Sequence, residues 1–125
     1  MNSIKTILII EDSEESIQLY SEILRTENFL VIEARHGKEA LELLESGSLY
    51  PDLIIMDLSF PFMTAEEFLQ RLRADPDCSK IPVVVISGHM DSRERALRLK
   101  TNGFLQKPFD LNVFLSLVKQ QIRGV

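Results

Sequence analysis

Two short apolar runs in this chain each end in a carboxylate, and no other feature restricts the fold as much. Ile7-Leu8-Ile9-Ile10 leads into Glu11-Asp12, and Leu53-Ile54-Ile55-Met56 leads into Asp57. Short runs rich in β-branched residues, with no polar alternation, read as strands of a parallel sheet covered on both faces. In such sheets a ligand crevice lies beyond the carboxyl ends of the strands. Glu11, Asp12 and Asp57 are therefore expected in one crevice. Close carboxylates repel, so their clustering calls for a cation. The pattern points to a divalent-metal site with Asp57 as a candidate nucleophile.

The rest of the chain alternates in the same way. Thr6 to Ile10 predicts the first strand. Ile17, Tyr20, Ile23 and Leu24 then recur at helical spacing up to Asn28. Phe29 to Ala34 reads as a second strand. From Gly37 a helix carries the stripe Ala40, Leu41, Leu43 and Leu44, and Gly47 and Pro51 close that segment. After the third strand, Leu53 to Met56, comes a loop from Leu58 to Met63. Thr64 and Glu67 then form a capping box for a helix bearing Phe68, Leu69 and Leu72, which ends near Asp75-Pro76. Val83 to Ile86 predicts a fourth strand stopping at Ser87-Gly88. A polar helix over about Ser92 to Lys100 is the least firmly packed. Phe104 to Gln106 gives a short fifth strand before Lys107-Pro108, and a last helix spans Leu111 to Ile122 with Val113, Phe114, Leu117 and Val118 inward. Five βα units in this length predict an open, doubly wound parallel sheet with five helices, not a barrel. Right-handed crossovers place helices on both faces.

Composition removes several alternatives. A chain of 125 residues is about one domain, expected here over 1–125, with 45% hydrophobic and 26% charged residues. A net charge of −5 argues against a nucleic-acid surface. No apolar run reaches membrane-spanning length, and Met1 to Lys5 shows no signal-peptide pattern. The single cysteine, Cys78, fits a reducing cytoplasm and reads as a bland loop thiol in a polar stretch. No glycine-rich turn follows any strand, which excludes the common dinucleotide and nucleoside-triphosphate folds.

Each strand end then presents a group with a chemical use. Two or three carboxylates suit Mg²⁺, an oxygen-seeking ion that keeps several waters. Lys107 adds positive charge where a phosphoryl group would develop negative charge. Ser87 offers a hydroxyl donor to a phosphoryl oxygen. Neighbouring acids push the Asp57 pKa up, while a metal and Lys107 push it down.

These residues in this order resemble the receiver domain of two-component response regulators, the family of the bacterial chemotaxis regulator. The likeness spans Ile7 to about Ile122. It rests on Ile7 to Asp12, Leu53 to Leu58, Pro61, Met63, Ile86-Ser87 and Phe104 to Phe109. The resemblance implies a flavodoxin-like sheet in the order 2-1-3-4-5. It implies that Asp57 accepts phosphate from a sensor histidine kinase or phosphotransfer protein. Asp12 would bind Mg²⁺ with help from Glu11 and the Ser59 backbone carbonyl. Ser87 and Lys107 would hold the phosphoryl group, Phe104 would be an aromatic switch, and Lys107-Pro108 would be cis. The face of the fourth helix, fifth strand and fifth helix would signal to a downstream target or an output domain. Such a domain is a phosphoacceptor with limited self-phosphorylation and self-dephosphorylation, not a stand-alone enzyme.

The sequence also departs from that family. Pro61-Phe62-Met63-Thr64-Ala65 stands where relatives read Pro-Gly-Met-Asp-Gly, and Phe62 would resist the positive φ that glycine serves there. Gly88 replaces alanine, and Lys100-Thr101 replaces a Gly-Ala pair. The loop with Phe60 and Phe62 supports a rival reading, a pseudo-receiver interaction module without a phosphate cycle, while the intact acid set and Lys107 weigh against it. A second rival, an aspartyl-phosphate phosphatase of the haloacid-dehalogenase type, needs an acid where Ser59 stands. Phe104 fits static core as well as a moving switch. His36 and His89 are isolated surface residues. Phe60 and Phe62 read as loop packing or a docking patch. Arg93, Arg95, Arg98 and Lys100 read as a solvated helix face or as a face for an acidic partner.

Overall fold

The computed structural model describes residues 4–47, 49–59, 61–89 and 92–122. Strands β1 (Thr6–Ile10), β2 (Leu30–Ala34), β3 (Leu53–Met56), β4 (Val83–Ser87) and β5 (Gly103–Gln106) alternate with helices α1 (Glu14–Thr26), α2 (Gly37–Glu45), α3 (Ala65–Ala74), α4 (Ser92–Arg98) and α5 (Leu111–Ile122). The strands form one sheet in the order β2-β1-β3-β4-β5, and every pairing is parallel. The expected fold class and strand order are both present.

The unbroken apolar runs are explained by two cores. Successive side chains of a strand point to opposite faces. Leu8, Ile10, Ile54, Met56, Val83 and Val85 pack with α2 and α3 on one face, around the fully buried Phe68. Their neighbours Ile7, Ile9, Leu53, Ile55, Val84 and Ile86 pack with α1 and α5 on the other, around Phe114 and Val118. A polar residue in either register would lie in a core, so none occurs from Ile7 to Ile10, in β3 or in the first four residues of β4.

Local signals set the helix starts. Ser13 caps α1 by accepting the Ser16 N–H at 3.3 Å, and Thr64 caps α3 by accepting the Glu67 N–H at 3.0 Å. The α3 box is a variant, because the Thr64 hydroxyl also donates to the Glu67 carboxylate at 3.2 Å. His36, expected only as a surface residue, caps α2. Its Nδ1 accepts the Glu39 N–H at 3.2 Å.

Several expectations need correction. Cys78 lies in a loop but is buried in the core beside α3, since the polar residues around it face outward. Val113 is 51% exposed; α5 turns only Phe114 and Val118 fully inward. The strand β4 continues through Ser87, and α4 stops at Arg98 instead of Lys100. Phe62 does adopt positive φ, at 76°, and its side chain is 80% exposed. Lys100 likewise takes φ 57° in the place of the family glycine. The Lys107-Pro108 peptide is cis, as the resemblance implied. Phe60 lies outside the described residues.

Candidate functional site

The order β2-β1-β3 places the point where the sheet reverses its winding between β1 and β3, which is where a crevice opens in doubly wound folds. Glu11 leaves β1 and Asp57 leaves β3 at this point. The pairing Ile10↔Met56 puts the two exits at the same level, and the Asp57 N–H donates to the Ile10 carbonyl at 3.2 Å. Lys107 arrives from the end of β5, where its N–H donates to the Ser87 carbonyl at 2.9 Å. Backbone pairing therefore fixes all three side chains before they touch one another.

They meet as one cation between two anions. The Lys107 ammonium donates to Asp57 Oδ2 at 3.2 Å and to Glu11 Oε2 at 3.4 Å. The Glu11 side chain is only 4% exposed and that of Asp57 12%, so screening by water is weak. Burial, the largest influence, and Asp57 push the Glu11 carboxyl above its ordinary range, although Lys107 pulls it down. Burial acts against the Lys107 ammonium too, yet Glu11 and Asp57 together outweigh it and hold its pKa above the usual value. Asp57 Oδ1 accepts the Ser59 N–H at 3.0 Å, and Glu11 Oε1 accepts the Ser13 N–H at 3.2 Å.

The remaining candidates surround this trio. Asp12 is exposed and lines an open cleft of about 410 Å³ with Leu58, Ser59, Met63, Thr64 and Arg95. Ser87 is fully buried at the end of β4. Its Oγ is held by Ser92 Oγ at 2.7 Å and by the His89 N–H at 3.4 Å, not by Asp57 or Lys107. Phe104 is half-buried against the α3 side of the sheet, with the Arg93 guanidinium 5.8 Å from its ring centre. His89, expected as an isolated surface residue, reaches the loop after Asp57: its Nε2 lies 3.3 Å from Ser59 Oγ. Arg95 is not simply a solvated residue, because its guanidinium donates to both oxygens of Glu66 at 2.6 and 2.8 Å. Ser92 and the Glu66–Arg95 pair were missed from sequence. Ser92 reads as an ordinary helix start, and long-range ion pairs carry no local signature.

Glu11 and Asp57 share one ammonium, Asp12 stands exposed beside them in the chain, and these carboxylates leave an excess of negative charge with oxygen donors. That set fits a hard divalent cation. Among the described residues, no three His, Cys, Asp or Glu side chains stand close enough to hold a metal ion together, so Asp12 does not join Glu11 and Asp57 in the expected three-acid group. The fit is therefore to an ion that keeps waters and takes one or two carboxylates, which is the habit of Mg²⁺.

A doubly wound parallel sheet thus carries two acids and a lysine at its strand ends. Residues 7–119 match the response regulator receiver domain, and the chain belongs to that family. Among its relatives is the polar-differentiation response regulator DivK of Brucella ovis, 27% identical over 94% of this chain and 96% of its own. The signal receiver domain of a signal transduction histidine kinase from Syntrophus aciditrophicus is 32% identical, with a TM-score of 0.86 over 97% of this chain and 92% of that one. The Mn²⁺-bound form of response regulator Rcp1 is 31% identical, with a TM-score of 0.74 over 94% and 89% of the two chains. No helix among the described residues is long and apolar enough to cross a membrane.

Proposed function

We propose that this chain is a single cytoplasmic receiver domain in which Asp57 accepts a phosphoryl group from a phosphohistidine on a sensor kinase or phosphotransfer protein. One observation carries the reading: Lys107 Nζ bridges Asp57 and Glu11 at 3.2 and 3.4 Å, at the crevice end of the sheet. In the transfer, an Asp57 carboxylate oxygen attacks phosphorus as the phosphorus–nitrogen bond breaks. The electron pair of that bond stays with the imidazole, which takes a proton from water. Glu11, Asp12 and Asp57, with the Ser59 carbonyl, would hold a Mg²⁺ ion, whose charge offsets that of the entering phosphoryl oxygens.

The acyl phosphate replaces a carboxylate oxygen at the Lys107 ammonium, so Lys107 turns to a phosphoryl oxygen carrying more charge. Ser87 Oγ–H is the neutral donor on the neighbouring strand β4. These contacts exist only in the modified state, so they bias the β4–α4 segment, with Phe104 of β5 following. The readout is the face of α4, β5 and α5, to which a downstream protein or an attached output domain binds. Hydrolysis of the acyl phosphate returns the domain to rest.

The test is labelling with acetyl phosphate and Mg²⁺, read by intact-protein mass. The parent should gain one phosphoryl group, and Asp57→Asn should gain none while keeping its circular dichroism. Labelling that persists in Asp57→Asn overturns the assignment.

A further inference from the structure

We propose that Ser92 is a positioning residue for Ser87, and that its buried hydroxyl ties the phosphoryl-sensing side chain to the first turn of α4. This inference rests on Asp57 as phosphoacceptor and adds to it the physical link by which the helix feels the phosphate.

Both hydroxyls are removed from water: Ser87 is 0% and Ser92 2% exposed. Ser92 Oγ–H donates to Ser87 Oγ at 2.7 Å, a distance near the optimum for two hydroxyls. The His89 N–H reaches the same oxygen at 3.4 Å, and the Ser92 N–H donates to the His89 carbonyl at 3.3 Å. A serine oxygen offers two acceptor positions and one proton. Both acceptor positions of Ser87 are therefore filled from the α4 side, and its proton is what remains for a phosphoryl oxygen.

Movement of Ser87 Oγ toward Asp57 then has two outcomes. Either Ser92 follows, carrying the first turn of α4, or a buried donor loses its acceptor. A buried unsatisfied hydroxyl is disfavoured by about tenfold or more in population. The first outcome is thus the favoured one. Ser92 hydrogen-bonds to Ser87 and to neither Asp57 nor Lys107, so its hydroxyl acts through Ser87. The short α4 suits this role, since only Ser92 and Ala96 anchor it by burial.

The test compares amide NMR spectra of the 125-residue chain with and without beryllofluoride plus Mg²⁺. In the parent, amides of Leu58 and Ser59 and amides of Ala96 and Leu97 should both shift. In Ser92→Ala the Leu58 and Ser59 shifts should remain, while those of Ala96 and Leu97 fall at least about threefold, as loss of one net hydrogen bond implies. Ser92→Cys, close in size but a poor donor, should behave like Ser92→Ala and guards against a folding defect. Ser92→Thr keeps the hydroxyl and should restore the α4 response. Full-sized α4 shifts in Ser92→Ala or Ser92→Cys overturn the inference while leaving the acceptor assignment intact. A parent that shows no shift near Asp57 overturns both.

Discussion

Phe62 shows how much one residue can depart from a pattern without breaking it. A left-handed conformation brings Cβ against the backbone carbonyl and costs a non-glycine residue about 1–2 kcal/mol. Phe62 holds φ 76° all the same. What it gains locally is small: its ring meets the His36 ring edge-on at 4.8 Å and is otherwise open to solvent. The strain is therefore met by the loop as a whole, which α3 capping and the Asp57 turn hold at both ends. Two variants separate the contributions. Phe62→Ala loses the ring contact and keeps the strain, whereas Phe62→Gly loses the contact and relieves it. Phe62→Gly should be more stable than Phe62→Ala by about 1 kcal/mol in urea unfolding. Equal stabilities would show that the backbone at this position carries no strain.

At the scale of elements, α3 and α4 are joined across the cleft by the Glu66–Arg95 pair. Both guanidinium bonds are short, and the Arg95 hydrogen bonds hold the Glu66 carboxyl down to about 2, well below the ordinary carboxylate range. The folded value lies below the unfolded one. The stabilisation is therefore complete above the ordinary pKa near 4.5 and is lost as pH falls toward 2. The Glu66 side chain is 48% exposed, so water and salt limit the pair to about 0.5–1 kcal/mol. Glu66→Gln should be less stable than the parent by about that amount at pH 7. The gap should close as the pH is lowered to about 2, and it should narrow in high salt. A gap independent of pH would place the pair's effect in packing and not in charge. The same element scale explains why α4 reads as weakly packed. Seven residues give it two buried side chains, and Leu97 stands 72% exposed.

At the scale of the whole molecule, what the sequence made legible was whatever depends on periodicity. β1, β3 and β4 are buried on both faces, so their apolar runs announce them, and the acids that follow are placed by the same parallel order. Glu11, Asp57 and Lys107 could be brought together from the chain alone because strand ends in a parallel sheet share one edge. The orientation of Ser87 could not, since a serine can turn to either neighbour and only the three-dimensional packing brings Ser92 beside it. Cys78 and Val113 misled for a related reason. Local polarity says little about a short loop, and helical spacing alone does not say which edge of an apolar stripe meets the sheet.

The parallel order also divides the domain into two poles with different tolerances. The crevice, its acids and Lys107 occupy one pole, and the helix-to-strand turns occupy the other. Gly47 sits in one of those turns with φ 75° and empty space around the position of a Cβ. A reporter peptide inserted directly after Gly47 should therefore leave acetyl-phosphate labelling of Asp57 within about twofold of the parent, since surface-loop lengthening carries little entropic penalty. The same peptide inserted after Ser59 should abolish it. Equal labelling of the two insertions would contradict this polarity. One end of the domain is thus a natural handle for sensors and tethers, available without disturbing the chemistry at the other.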